Sequence, residues 1–156
     1  MEITELLVEN KKEIIEETYK SMTKLKLKGY TKVGSEKTKQ KLNDLFNKLL
    51  QCTRKKELIP ILNYTEKIAK ERYSSGYDIF EVQTAINTLE SIIWNKIFKL
   101  TRPDKLAESL GMISTILGAG KDNLARIYVS MATKSKAPSL NLQSLFSGSE
   151  SIANTN

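Results

Sequence analysis

The chain has 156 residues, 40% of them hydrophobic, a formal charge of +7 and no histidine. That length suits one domain with a core that needs no staples, and the composition argues against both wholesale disorder and a membrane protein. Without histidine the commonest general base and metal ligand are missing, so His-built zinc sites, Ser–His hydrolysis and Cys–His nucleophilic chemistry are excluded.

No stretch approaches the ~20 apolar residues of a spanning helix. The opening Met1-Glu2-Ile3-Thr4-Glu5 lacks the basic-then-apolar pattern of a secretory signal. Cys52 is the single cysteine and cannot form an intrachain disulfide, which fits a reducing compartment. These features point to a cytoplasmic protein with no metal or other cofactor and no enzymatic chemistry.

The sequence predicts an all-α fold, a helical bundle of about five helices over residues 1–133, followed by a disordered tail, 134–156. The first helix is expected from Ile3 to about Leu27, with Leu7, Ile14, Thr18 and Leu25 on one face. Gly29 to Gly34 reads as a loop, and Ser35 as the N-cap of a second helix carrying Leu42, Leu45, Phe46 and Leu49. A polar junction, Thr53-Arg54-Lys55-Lys56, separates it from a third helix with Pro60 in its first turn. Ser74-Ser75-Gly76 stops that helix.

Asp78 and Glu81 have capping-box spacing at the head of a fourth helix, whose stripe runs Ile79, Val82, Ile86, Leu89, Ile93 and Leu100. Arg102-Pro103-Asp104 opens the fifth. There Leu106, Leu110, Ile113, Leu117, Gly120, Leu124, Ile127 and Met131 form a heptad seam that keeps phase across Gly111, Gly118 and Gly120. A seam that long exceeds what one intrachain face needs, so a homodimer through this helix is expected, with the glycines permitting close approach.

From Lys134 the composition turns to Ser and Asn, interrupted by one apolar cluster, Leu140, Leu142, Leu145 and Phe146. That cluster reads either as a tail packing on its own bundle or as a peptide docking on an unidentified partner protein.

Charge is uneven. Residues 20–56 hold twelve basic side chains against Glu36 and Asp44, giving +10 there and −3 over the rest. Such a segment could attract nucleic acid or acidic partners. Lys outnumbers Arg 21 to 4, however, whereas phosphate-clamping surfaces favour Arg, so a solvated lysine face is the better reading. Gly118-Ala119-Gly120-Lys121-Asp122 imitates a phosphate loop but has Thr115 at the first glycine position and Asp122 at the metal-binding one. Cys52 precedes Arg54, Lys55 and Lys56, which could lower its pKa; a buried structural thiol is the commoner outcome.

The constellation with the most chemistry is aromatic and amide. Tyr73, Tyr77 and Trp94, with Gln83 and Asn87 four residues apart on one helix face, should converge near the third-to-fourth helix corner and could wall a small-molecule ligand site. Core packing, with both amides bonded to backbone or water, competes with that reading.

The run Tyr77-Asp78-Ile79-Phe80-Glu81-Val82-Gln83 through Ile93-Trp94, then Leu110-Gly111 and Ile116-Leu117-Gly118-Ala119-Gly120-Lys121-Asp122, resembles the RsbRD-type N-terminal sensor domain (the RsbT co-antagonist family). Leu6 to Ile14 fits its first helix, and the similarity spans about residues 3–133. The resemblance implies a globin-like fold without haem, dimers, and a role as the input module of bacterial stress-response signalling. A chain without histidine independently lacks a proximal haem ligand. Those regulators place the sensor before an output domain, whereas this sequence ends after a short tail. A signal is therefore expected to leave through a partner protein.

Overall fold

A computed structural model describes residues 1–25 and 34–135. Among these residues are five α-helices and no strand: α1 (Ile3–Lys24), α2 (Ser35–Lys55), α3 (Ile59–Ser74), α4 (Phe80–Leu100) and α5 (Pro103–Ser135). The all-α, five-helix expectation stands. The tail cluster Leu140, Leu142, Leu145 and Phe146 lies outside the described residues, as does the predicted loop over 29–33. No helix among the described residues is long and apolar enough to cross a membrane.

Helix ends depart from the sequence reading in four places, the first being α1, which ends at Lys24 and leaves Leu25, expected on the face of Leu7 and Ile14, exposed. Ser35 is not the N-cap of α2 but its first residue. Gly34 precedes it at φ +89°, and the Thr38 hydroxyl donates back to the Gly34 carbonyl at 2.8 Å. The capping box at Asp78 is only half made. Asp78 accepts the Phe80 N–H at 3.0 Å, while the Glu81 carboxylate turns away to Arg72. The polar junction after Cys52 is mostly helix: α2 continues to Lys55 and ends on Lys56 in the left-handed region, φ +53°.

Polar bridges fix how the helices pair. Lys39 meets Glu16 at 3.0 Å and Lys11 donates to Asn47 at 2.8 Å, so α1 and α2 run antiparallel. Lys96 spans from α4 to Glu13 at 2.6 Å and Glu17 at 3.5 Å of α1. Ser114 donates to Glu90 at 3.0 Å and Lys121 to Asn87 at 2.7 Å, setting α5 antiparallel to α4. Asn123 donates to the Leu62 carbonyl at 3.0 Å, beside Gly120 facing Ile61, so α5 lies parallel to α3. The helices thus close a ring in the order α1, α2, α3, α5, α4, with α2 also reaching α5.

The heptad seam of α5 is used inside the chain. Ile113, Leu117, Gly120 and Leu124 are buried, and Leu106, Leu110 and Ile127 pack against the same core. The seam is therefore not a dimer interface, and a second copy would need another face. At Gly120 a Cβ would stand 2.9 Å from Ile61 Cγ1 and 3.4 Å from Thr65 Cγ2. This glycine is the close approach of α5 to α3, and the helix continues through it without a break.

Buried apolar residues fall into two clusters. The larger includes Leu6, Leu7, Ile14, Phe46, Leu49, Ile61, Leu89, Ile93 and Leu117; the smaller holds Met22, Leu42 and Ala85. What lies between them concerns α3 and α4, which are consecutive in sequence yet scarcely meet.

Candidate functional site

The corner between α3 and α4 is built by a glycine-terminated helix. Gly76, at φ +75°, donates its N–H to the Tyr73 carbonyl at 3.1 Å, and Tyr77 donates its own to the Arg72 carbonyl at 2.9 Å. That paired pattern is a Schellman motif, which needs a residue free to adopt the left-handed region. Its effect is to fold Tyr77 back over α3, where its ring lies 5.5 Å from the Arg72 guanidinium.

Arg72 in turn bridges to Glu81 in the first turn of α4 at 3.4 Å, with the two side chains only 10% and 14% exposed. An acidic side chain in a first turn also suits the helix dipole. The corner is thus held by an ion pair with both partners nearly buried, where the other inter-helix ion pairs leave at least one partner more open to solvent.

Behind that pair is a cavity of about 230 Å³. α2 supplies Leu42 and Leu45 to its wall, α3 supplies Tyr64, Ile68 and Arg72, and α4 supplies Val82 and Ala85, with Tyr77 from the corner. Leu42 and Ala85 belong to the small core cluster and Leu45 and Val82 to the large one, so the cavity occupies the seam between the two. Lys41, Glu71 and Ser75 stand at its polar edge, where the Tyr64 hydroxyl donates to the Lys41 carbonyl at 3.3 Å.

The five residues expected to share a site are not gathered there. Tyr77 lines the cavity. Tyr73 lies beside it, its ring edge-on to Tyr128 of α5 at 5.6 Å. Tyr128 also donates its hydroxyl to the Tyr77 carbonyl at 3.0 Å, tying α5 to the corner. Gln83 is half-buried and is no part of the cavity wall. Asn87 is exposed, and its side-chain oxygen accepts from Lys121, which also bridges to Glu90 at 3.6 Å. The amide pair on one face therefore splits, because α5 packs along that side of α4.

Trp94 packs against the main core two turns down α4, and its buried indole N–H finds no partner among the described residues. Sequence reasoning missed Arg72, Glu81 and the five aliphatic walls. One signal was available, since Arg72 is one of only four arginines in a lysine-dominated chain.

Other clefts differ in chemistry. A groove of about 620 Å³ between α2 and α3 is walled by Asn47, Lys48, Gln51, Asn63 and Lys67 among others, and one of about 570 Å³ between α1 and α2 by a similar polar set. Both read as solvated helix–helix furrows. A cleft of about 350 Å³ lies over Cys52, Leu58, Gly111 and Met112. Burial pushes the Cys52 thiol above its ordinary range, the opposite of a thiol activated by the following basic residues. Among the described residues no group of three or more His, Cys, Asp or Glu could hold a metal ion. The chain matches no protein-family model, no curated protein and no solved structure.

Proposed function

We propose that this protein is a non-enzymatic regulatory module that senses a small molecule in the cavity between α2, α3 and α4. The observation that carries this reading is the cavity's place: it interrupts the core at a corner held by a buried ion pair. Packed interiors keep few voids larger than a water molecule, and leaving this one open forfeits stability that a bound molecule would restore. The resemblance to RsbRD-type sensor domains, with their globin-like, haem-free helical fold, supports the same role.

Output would pass through Tyr128. Its hydroxyl holds the backbone of Tyr77, a cavity wall, so a ligand that moves Tyr77 biases the packing of α5. From α5 the signal would reach a partner protein.

A homodimer is a second element of this reading, on a face other than the heptad seam. Phe80 and Phe98 are 63% and 56% exposed and lie about five turns apart on one line of α4. On α5, whose Lys121 meets Asn87 of α4, a Cβ at Gly118 would meet nothing within 4 Å, and Val129 is 59% exposed. This outward α4–α5 surface could seat a second copy with close backbone approach.

The test is to fill the cavity. Ala85→Leu should leave the helical circular-dichroism spectrum intact and change the melting temperature by no more than a few degrees, because the added carbons enter empty space. It should also remove the thermal stabilisation that a small-molecule extract or metabolite panel gives the parent. Stabilisation that survives in the filled variant would place the ligand elsewhere and sink the assignment.

A further inference from the structure

Resting on the cavity reading above, we propose that the ligand is a small uncharged molecule with an aromatic or cyclic body, about ten non-hydrogen atoms in size. Volume sets the upper limit. The cavity, at about 230 Å³, exceeds the roughly 150 Å³ void that accommodates benzene and falls below the roughly 300–1,000 Å³ of pockets for drug-sized ligands. Tetrapyrroles, flavins and nucleotides are too large to be enclosed by it.

The wall sets the body. Leu42, Leu45, Ile68, Val82 and Ala85 offer aliphatic surface, and the Tyr64 and Tyr77 rings add flat surface, which together suit a compact ring.

Charge sets the third limit. The one buried charge in the described wall, Arg72, is matched by Glu81 at 3.4 Å, while Lys41 and Glu71 stand exposed at the edge, where Glu71 also bridges Lys67 at 4.0 Å. An ion entering this space would shed its water and meet no net opposite charge, whereas a neutral ring loses little. The uncharged hydroxyls of Tyr64, Tyr77 and Ser75 are the groups suited to orient a single hydrogen-bonding atom on such a ring.

A charge series on one body decides the matter. Indole, tryptamine and indole-3-acetate share a ring system and carry no charge, a positive charge and a negative one; tryptophol, neutral and the same size as tryptamine, separates charge from bulk and should bind like indole. Each is titrated into the full chain, with methyl-group NMR reporting on Leu42, Leu45, Ile68 and Val82. Indole should shift these methyls saturably, and both charged analogues should bind at least about tenfold more weakly, a difference of about 1.4 kcal/mol.

A charged analogue binding as tightly as indole at the same methyls would overturn this inference and leave the cavity as a site. No shift with any of the four would overturn both. Ala85→Leu should abolish the indole shifts. Were that variant unfolded, the methyl map of the parent would still locate the site or exclude it.

Discussion

Helix α3 packs directly on α5 but scarcely meets α4, its successor in sequence, and the two relations are opposite in kind. Against α5 it packs so closely that Gly120 leaves no room for a methyl group beside Ile61, and Asn123 reaches across to the Leu62 carbonyl. Against α4, the next helix in sequence, it stands off, and the gap is spanned by Arg72 and Glu81 with a void behind them. Tight apolar contact determines one geometry sharply, since any added carbon must displace a neighbour. A bridged gap tolerates more than one arrangement, because the helices can shift about one contact without displacing packed neighbours. The bundle thus has a rigid flank and an adjustable one on the same helix.

The largest expected effect breaks the rigid flank. Gly120→Leu should cost at least about 3 kcal/mol, read as a fall in the urea midpoint followed by circular dichroism, since its side chain has no void to enter. An unchanged midpoint would mean that α3 and α5 are not packed as described.

The adjustable flank should be next. Arg72→Met strands Glu81 in a desolvated position and should cost about 2–3 kcal/mol by the same measurement. Replacing both residues, as Arg72→Met with Glu81→Leu, should recover much of that loss. A double variant as unstable as the single one would show that the pair's geometry, and not the stranded charge, holds the corner.

Gly118→Ala sharpens the comparison from two residues away. Its added Cβ meets nothing within 4 Å, so the change should stabilise the chain by roughly 1 kcal/mol through helix propensity alone. A melting temperature that falls below the parent's, and by more at high protein concentration, would instead reveal a second copy seated on that face.

The smallest effect concerns the α1–α4 contact. The hydrogen bond and charge of Lys96 hold the Glu13 carboxyl below its ordinary range, and Glu13 holds the Lys96 ammonium above its own. A depressed carboxyl adds stability above its unfolded value, ~4.3, and loses it as pH falls through the lower folded one. A raised ammonium loses its contribution only at high pH, above ~10.4. Glu13→Gln should therefore lower the melting temperature slightly near neutrality and leave it unchanged at low pH, so that the acid limb of a melting-temperature-against-pH curve flattens a little.

The rigid flank was largely legible in the sequence and the adjustable one was not. A 4,3 repeat from Leu106 to Met131 announces an apolar seam on α5 whatever it packs against; periodicity carries no information about whether the partner is α3 or a second chain. The glycine in that seam was read as room for another molecule, and it proved to be room for Ile61.

At the corner, Ser74-Ser75-Gly76 correctly stopped α3, since a left-handed C-terminal residue has a strong local signature. The cavity has none. It arises where side chains from α2, α3 and α4 fail to meet, and each of Leu45, Ile68 and Val82 looks from the sequence like any other core residue. Gln83 and Asn87 were singled out for their shared face, but Lys121 on a helix more than thirty residues away claims Asn87. Long-range pairings of this kind follow from packing angles, which residue spacing does not encode.

The glycine at position 120 has a mechanical consequence as well. α5 is 33 residues long, about 50 Å, and its tightest point of contact with α3 falls near the middle. That makes the glycine a fulcrum, with Tyr128 as the point where the corner pulls on the arm. From Gly120 to the last helical residue, Ser135, the arm is about 22 Å long, so a tilt of ~5° would carry its tip by ~2 Å. Because Tyr128 sits about 12 Å along that arm, a displacement of a few tenths of an ångström passed from Tyr77 would arrive about doubled at the end of the helix that leads into the remainder of the chain.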